Sequence, residues 1–254
     1  MIWRLEDAER SSGKCAKQQE EDSFLHAFSL DPCSRVSVVG AGGKTTLVKQ
    51  LAKECVKAGW HPVVTTTTHM WKEDRPEFYA GESLEELLKV RERYGFVIAG
   101  TDAGKGKIRA LPEKIQKELF QLPAPIIIEA DGARGLPVKF PADHEPVILP
   151  ETDVVVTVYG LSAVGKPLKD VCFRWEEAAG FLKKSLEEKL TAADIAKLAC
   201  SPFGGRKGVR SGMRHILFLN QTDTEEDLCT ARLVWKCMDA EARKKMTVFA
   251  SCMV

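Results

Sequence analysis

The chain lacks a charge excess of either sign, a long apolar run and a Cys-x-x-Cys pair. Its 254 residues include 37 Lys and Arg and 36 Asp and Glu, a formal net charge of +1. Without a basic excess, nucleic acid is not the expected partner. No apolar run approaches the ~20 residues that span a membrane, and the charged start has no apolar signal-peptide segment. We therefore expect neither a nucleic-acid nor a membrane partner.

The eight cysteines are scattered, and several fall in helical or strand patterns, where a free cysteine packs as a small apolar residue. This usage is typical of a reducing compartment, so we expect the protein to be cytoplasmic. A role for one cysteine in selenium or thiol transfer is left open at this point.

Residues 1–22 are rich in charge, Ser and Gln, and predict a mobile extension or a solvated helix. Residues 23–254 predict a single α/β domain, because apolar strands alternate with helical patterns. This alternation favours a mostly parallel sheet with helices on both faces. The predicted strands are 36–39, 62–66, 96–99, 126–129, 154–158, 216–220 and 247–250. The predicted helices follow residue 46 and cover 84–93, 112–120, 174–182, 191–200 and 225–238.

A glycine-rich segment follows the first of these strands and leads directly into a helix, the setting that a phosphate-binding loop requires. Glycines let backbone N–H groups approach an anion, Lys44 supplies a charge for the β- and γ-phosphates, and Thr45 a hydroxyl for Mg²⁺. The first glycine of a full P-loop would fall at Val38, so this loop is shorter. It nevertheless resembles the loop of P-loop NTPases, and the resemblance implies a fold similar to theirs. The predicted nucleotide-binding residues are Gly40, Ala41, Gly42, Gly43, Lys44, Thr45 and Thr46.

Two acids, Glu129 and Asp131, lie at the end of the apolar strand 126–129. Because side chains alternate along a strand, both are expected to point to the same side at the carboxyl end of the sheet, where ligands of open α/β sheets bind. One carboxylate would hold Mg²⁺ and the other would position a nucleophilic water. The alternative is an ordinary acidic turn closed by Gly132.

Threonines also end the earlier predicted strand 62–66, and Thr67, Thr68 and His69 are candidates for contacts to phosphate or magnesium. Threonine also favours strands for its own sake, so a purely structural role is the alternative.

Asn220 and Asp223 end a later strand with the Asn-x-x-Asp spacing that guanine-selective sites use to fix a loop and bind the base. Gln221 replaces the lysine usual there. Residues 224–227 also read as the start of a helix, which explains the same residues without a ligand. ATP and GTP both stay open as the expected cofactor, together with Mg²⁺.

A polar loop after the acids contains Arg134, Lys139 and His144, and Arg174 precedes a later helix. These side chains could hold an anionic substrate or a partner, or stabilise charge during phosphoryl transfer. Solvated surface charges are the alternative.

Taken together, these motifs resemble the YqeC family, described as selenium-dependent hydroxylase accessory proteins. The matching segments run from about Phe24 to Ser251. The resemblance implies a nucleotide-binding protein that helps to mature molybdenum hydroxylases carrying labile selenium, with such a hydroxylase or its maturation machinery as partner. The matching segments are Val39–Thr46, Thr65–His69, Ile128–Arg134, Lys139–Val147, Gly160–Leu161, Gly165–Leu168, Arg174 and Asn220–Asp223.

The short loop also looks like that of Mur-type peptide ligases, in which ATP activates a carboxylate and a strand-end Glu holds Mg²⁺, the part Glu129 would play here. Three hypotheses follow. The leading one is a Mg²⁺-dependent ATP or GTP hydrolase acting as an accessory protein, with Lys44, Glu129 and Asp131 as catalytic residues. The alternatives are a small-molecule kinase or Mur-ligase-like enzyme, and a non-catalytic, nucleotide-gated binding protein.

Overall fold

The computed structural model of the chain describes residues 1–6 and 20–251. Seven parallel strands form the centre of one large sheet, in the order β14-β13-β11-β3-β9-β4-β7. Their bounds are β3 (Arg35–Gly40), β4 (Val63–Thr66), β7 (Val97–Gly104), β9 (Ile126–Glu129), β11 (Val154–Gly160), β13 (Arg214–Asn220) and β14 (Thr247–Ser251). The predicted mixed α/β fold with a mostly parallel sheet is confirmed, and each predicted strand is present.

The sheet edges carry antiparallel strands that the sequence pattern did not predict. Next to β14 lies β1, which pairs with β2, and next to β7 lie β8 and β5. A parallel strand, β6, also joins β7, and β10 pairs with β12 in a separate two-stranded sheet. These strands are β1 (Ile2–Leu5), β2 (Glu20–Glu21), β5 (His69–Trp71), β6 (Phe78–Ala80), β8 (Lys107–Arg109), β10 (Val138–Lys139) and β12 (Cys172–Phe173).

Strand β1 corrects the expectation for the start of the chain. Ile2 and Leu5 are buried, and their strand pairs antiparallel with β14 near the other end of the sequence. The expected mobile extension or solvated helix is therefore replaced over residues 2–5 by a strand that lies between β2 and β14. The remainder of that expectation falls largely on residues 7–19, which lie outside the described residues.

Helices cover both faces of the sheet, as the alternation of adjacent strand residues shows. Val38 belongs to the same buried cluster as Leu47 and Leu51 of one helix, whereas the next residue, Val39, belongs to a different cluster, with Ile115 and Leu119 of another helix. The helices are α1 (Phe24–Ala27), α2 (Lys44–Lys57), α3 (Leu84–Tyr94), α4 (Glu113–Leu119), α5 (Leu168–Val171), α6 (Trp175–Leu182), α7 (Ala192–Cys200), α8 (Glu225–Cys237) and α9 (Ala240–Lys245). None of the helices in the described ranges is both long and apolar enough to cross a membrane.

The position of β3 sets the place of the site. From β3 the chain crosses to β4 on one side, and later passes from β9 to β11 on the other side of β3. A crevice opens at such a switch point, outside the carboxyl ends of the strands, and is where open α/β sheets bind ligands. At this carboxyl end of the sheet lie the loops that follow β3, β4, β9, β11 and β13.

Candidate functional site

The glycine-rich loop joins β3 to α2 at the centre of this edge. Gly40, Gly42 and Gly43 have φ angles of +92°, +81° and +122°, a region that residues with a Cβ rarely adopt. Space is also tight, because a Cβ on Gly42 would lie 2.3 Å from the backbone nitrogen of Gly160. The loop therefore needs its glycines both for conformation and for close approach to β11.

The loop leaves the start of α2 free to bind an anion. Gly43 caps the helix without a side-chain hydrogen bond, and the first helical bond runs from the N–H of Leu47 to the carbonyl of Gly43, at 2.9 Å. The backbone N–H groups of residues 43–46 have no acceptor in the described parts of the chain. Four free donors at the positive end of a 14-residue helix form an anion-binding geometry.

Lys44 is buried against the loop from which it projects. Its Nζ donates to the carbonyl oxygen of Gly40 at 2.6 Å and lies 3.2 Å from Oδ1 of Asp131. Asp131 in turn accepts a hydrogen bond from the N–H of Gly40, at 3.0 Å. The carboxylate thus holds both the lysine and the first residue of the loop.

Thr45 and Glu129 meet directly. The hydroxyl of Thr45 donates to Oε2 of Glu129 at 3.0 Å. Burial raises the pKa of the Glu129 carboxyl, while Lys44, the Thr45 hydrogen bond and, more weakly, Lys49 oppose that rise. The buried carboxylate and the hydroxyl together offer two oxygen atoms to a cation.

The donor set fits magnesium only in company with a ligand. Thr45 and Glu129 supply two oxygen atoms, and the described residues contain no cluster of three or more His, Cys, Asp or Glu side chains that could hold a metal ion. Magnesium is commonly bound through one or two protein oxygens plus substrate phosphates. The site therefore fits a magnesium ion that arrives with a nucleotide.

A chain of buried ion pairs leads away from Asp131. Nζ of Lys139, whose side chain is 2% exposed, lies 2.9 Å from Oδ2 of Asp131 and 2.8 Å from Oε2 of Glu145. Arg174 reaches the same Glu145 oxygen at 3.3 Å. Burial opposes ionisation of Glu145, but Lys139 and Arg174 hold its pKa below the ordinary value. Charges thus alternate from Lys44 through to Arg174.

The far end of this chain surrounds one aromatic ring. The guanidinium carbons of Arg174 and Arg134 lie 4.5 Å and 5.0 Å from the centroid of Phe173, and Nζ of Lys139 lies 5.9 Å from it. Arg134 and Arg174 both have positive φ angles, +50° and +63°, which are uncommon for residues with a side chain and cluster at functional sites. Of the four side chains predicted to hold an anionic substrate or a partner, three therefore share one cluster: Arg134, Lys139 and Arg174.

The fourth side chain predicted to hold an anion or a partner, His144, lies elsewhere. It is exposed, whereas its neighbour Glu145 is buried and carries the ion pairs. Sequence reasoning missed Glu145, and also the use of the segment before Lys139. The carbonyl of Leu136 accepts from the N–H of Gly42 at 3.1 Å, and that of Pro137 from Gly160 at 2.8 Å, so this segment braces the loop.

The threonines after β4 lie beside Glu129. The hydroxyl of Thr66 and the N–H of Thr67 both donate to its backbone carbonyl, at 2.8 Å and 3.2 Å. The Thr67 hydroxyl donates to the carbonyl oxygen of Val147, and the Thr66 hydroxyl oxygen accepts from the N–H of Thr68. His69 is exposed at the start of β5. Thr67 and Thr68 thus flank the acidic strand end, mainly through backbone contacts.

On the other side of the loop, Asn220 ends β13. Its Nδ2 donates to the carbonyl of Gly42 at 2.8 Å, while its buried Oδ1 has no hydrogen-bond partner among the described residues. Asp223 is exposed at the start of the α8 cap, where its N–H donates to Asp227. Asn220 therefore contacts the loop directly, and Asp223 lies free in solvent beyond it.

Comparison with known proteins places this arrangement in a family. The family model described as YqeC protein matches residues 36–176, more than half of the chain. The uncharacterized protein YqeC of Escherichia coli (strain K12) is 32% identical over 192 residues, which cover 73% of this chain and 75% of that protein. No solved structure matches the chain. Since the matched segment includes the glycine-rich loop, the acidic strand end and Arg174, the chain belongs to the YqeC protein family.

Proposed function

We propose that this protein binds a Mg²⁺-nucleoside triphosphate, ATP or GTP, on the loop of residues 40–46 and hydrolyses it. The single observation that carries the proposal is the meeting of Thr45 with Glu129 beside four free N–H groups at the start of α2. Those groups, with Lys44, would hold the phosphates, while Thr45 and Glu129 would hold the magnesium ion that neutralises their charge.

The two acids receive different roles. Glu129 touches the Thr45 hydroxyl and takes the magnesium, while Asp131 is committed to Gly40, Lys44 and Lys139. When Lys44 turns toward the phosphates, Oδ1 of Asp131 loses its neighbouring ammonium. That oxygen is then available to accept a hydrogen bond from the attacking water, the role predicted for the second acid.

In this proposal the purine base of the nucleotide lies on the opposite side of the loop from Glu129. Glu129 and the threonines follow β9 and β4, whereas Asn220 and Asp223 follow β13, beyond β11. The triphosphate would run between these two groups. Both Asn220 Oδ1 and the Asp223 carboxylate are hydrogen-bond acceptors, so a base that presents donor groups to them would gain most.

Family resemblance supports a second part of the proposal, an accessory role in the maturation of selenium-dependent molybdenum hydroxylases. In this role the Arg134–Arg174 cluster would report the state of the nucleotide to the partner, because the ion-pair chain links it to Lys44. The test is the selenium content of such a hydroxylase in cells that lack this protein. Restoration by the wild type but not by Lys44→Ala would support the role, and normal content without the protein would contradict it.

Hydrolysis is tested by phosphate release from ATP and GTP, with and without Mg²⁺. We expect release by the wild type with Mg²⁺ and none above background in Lys44→Ala or Thr45→Val. Lys57→Ala, at the exposed end of the same helix, is the matched control and should retain full activity. Hydrolysis by Lys44→Ala at the wild-type rate would contradict the proposal.

A further inference from the structure

A second cleft opens beside the loop, between α2 and the sheet edge. It has room for about 100 Å³, and Thr45 forms part of its wall. Its interior is apolar, with Val48 and Ala52 from α2 facing Val64 and Ile98 of the sheet. All four of these side chains are at most 5% exposed. Engineered apolar cavities of roughly 150 Å³ bind benzene, so this smaller cleft would hold the apolar body of a small ligand in part, with the remainder at its open rim.

The outer rim of the cleft is charged, and most of its charges are paired. Glu73 forms ion pairs with Lys49 and, at 3.2 Å, with Arg75. Arg75 also lies 3.7 Å from Glu77. These four charges cancel, and they close the side of the cleft formed by the segment before β6.

Lys53 provides the charge that is left over. It lines the cleft, is exposed, and has no ion-pair partner within the described ranges. At the other end, the wall at Thr45 belongs to the first turn of α2, where the helix dipole is positive. The cleft thus combines an apolar interior with a net positive rim, which favours a ligand that is apolar with one negative group.

We propose that this cleft binds a small organic acid, with its apolar body between α2 and the sheet and its carboxylate at the Lys53 rim. A cationic ligand would face an unpaired ammonium there, and a polyanion would bury charge against Val48 and Ala52. The cleft lies next to Thr45, so the acid would be a neighbour of the magnesium end of the nucleotide. That last placement rests on the proposed function, whereas the binding of the acid does not.

The test uses the full chain without nucleotide and three probes, benzoate, benzyl alcohol and benzylammonium. Each is a phenyl ring with one small polar group, and the three groups differ in charge. Ligand-detected NMR titration gives the dissociation constant of each. We expect benzoate to bind most tightly and benzylammonium least. Lys53→Glu should weaken benzoate binding about fivefold or more, because it replaces the attraction of an exposed charge by a repulsion of similar size. Lys57→Glu, one turn further along α2 and outside the cleft, should leave the constant unchanged.

Ala52→Met tests the location, because the longer side chain fills the apolar interior. Benzoate binding should be lost while the melting temperature stays near that of the wild type. If this variant does not fold, the comparison of Lys53→Glu with Lys57→Glu decides alone. The proposal is overturned if the three probes bind alike, if none binds, or if the two charge reversals act equally. Nucleotide binding is measured separately, so failure here leaves the proposed function standing, and the reverse also holds.

Discussion

Asp131 is the residue whose replacement should reveal most about how the loop is held. Its side chain is 2% exposed and lies between two lysines that are also buried, Lys44 at 3.2 Å and Lys139 at 2.9 Å. In Asp131→Asn the shape is kept, and the amide oxygen can still accept from the N–H of Gly40. What is lost is the negative charge, which leaves the two ammonium groups in a buried setting with less compensation.

The expected loss in the free energy of unfolding depends on the interactions that each lysine retains in Asp131→Asn. Removing one partner of a buried ion pair costs about 3–5 kcal/mol. Lys139 retains Glu145 at 2.8 Å and the carbonyl of Gly132 at 2.7 Å, and Lys44 retains the carbonyl of Gly40 at 2.6 Å. We therefore expect the lower end, about 3 kcal/mol in the free energy of unfolding. For a chain of this size that is roughly 6–12 °C in melting temperature.

The assay is urea unfolding followed by circular dichroism, without nucleotide. Glu85→Gln is the control, because Glu85 pairs with Lys89 at 2.6 Å while both side chains are more than two thirds exposed. Such a pair is worth less than about 0.5 kcal/mol. If Asp131→Asn lies within about 1 kcal/mol of the wild type, or costs no more than Glu85→Gln, the carboxylate does not hold the loop as described.

Two further predictions concern pH and the loop glycines. Burial, with a smaller effect of Arg206, lowers the pKa of His215 to about 4. Since the unfolded value is about 6.5, its contribution to stability is complete above that pH and is lost as the pH falls toward 4, by about 2 kcal/mol at pH 5. Urea unfolding at pH 7 and pH 5 should show that loss in the wild type and not in His215→Gln; an equal loss in both would refute it. Gly42→Ala and Gly59→Ala both place a Cβ at positive φ, but only Gly42 is crowded by backbone, whereas Gly59 has nothing within 4 Å. Gly42→Ala should therefore cost at least about 2 kcal/mol more in urea unfolding, and equal costs would contradict the tight approach of the loop to β11.

The central strands could be predicted from sequence because they are apolar throughout. Val154–Gly160 and Ile126–Glu129 are fully buried along their length, and such runs between helical patterns favour a parallel sheet. Strand β1 offered no such signal. It has four residues, one of them Arg4, and its partner β14 lies at the other end of the chain. Its burial is decided by that distant pairing.

The candidate site also has features that the sequence predicts and features that it does not. Local spacing was enough to predict that Lys44 and Thr45 lie at a helix start and that Glu129 and Asp131 lie at a strand end, and the structure brings these four together. The pairing of Lys139 with Glu145 was not predicted, because a lysine in a polar loop is expected to be exposed to solvent. Only the packing of that loop against β11 and β12 buries the two side chains.

The most direct test of nucleotide binding is thermal unfolding of the wild type and Lys44→Ala with Mg²⁺ plus ATP, with Mg²⁺ plus GTP, or with Mg²⁺ alone. Ligand at about 100 times its dissociation constant adds about 2.7 kcal/mol, roughly 5–10 °C for a chain of this size. The account predicts a shift of that order with at least one nucleotide, lost in Lys44→Ala. No shift with either nucleotide, or the same shift in Lys44→Ala, would contradict it.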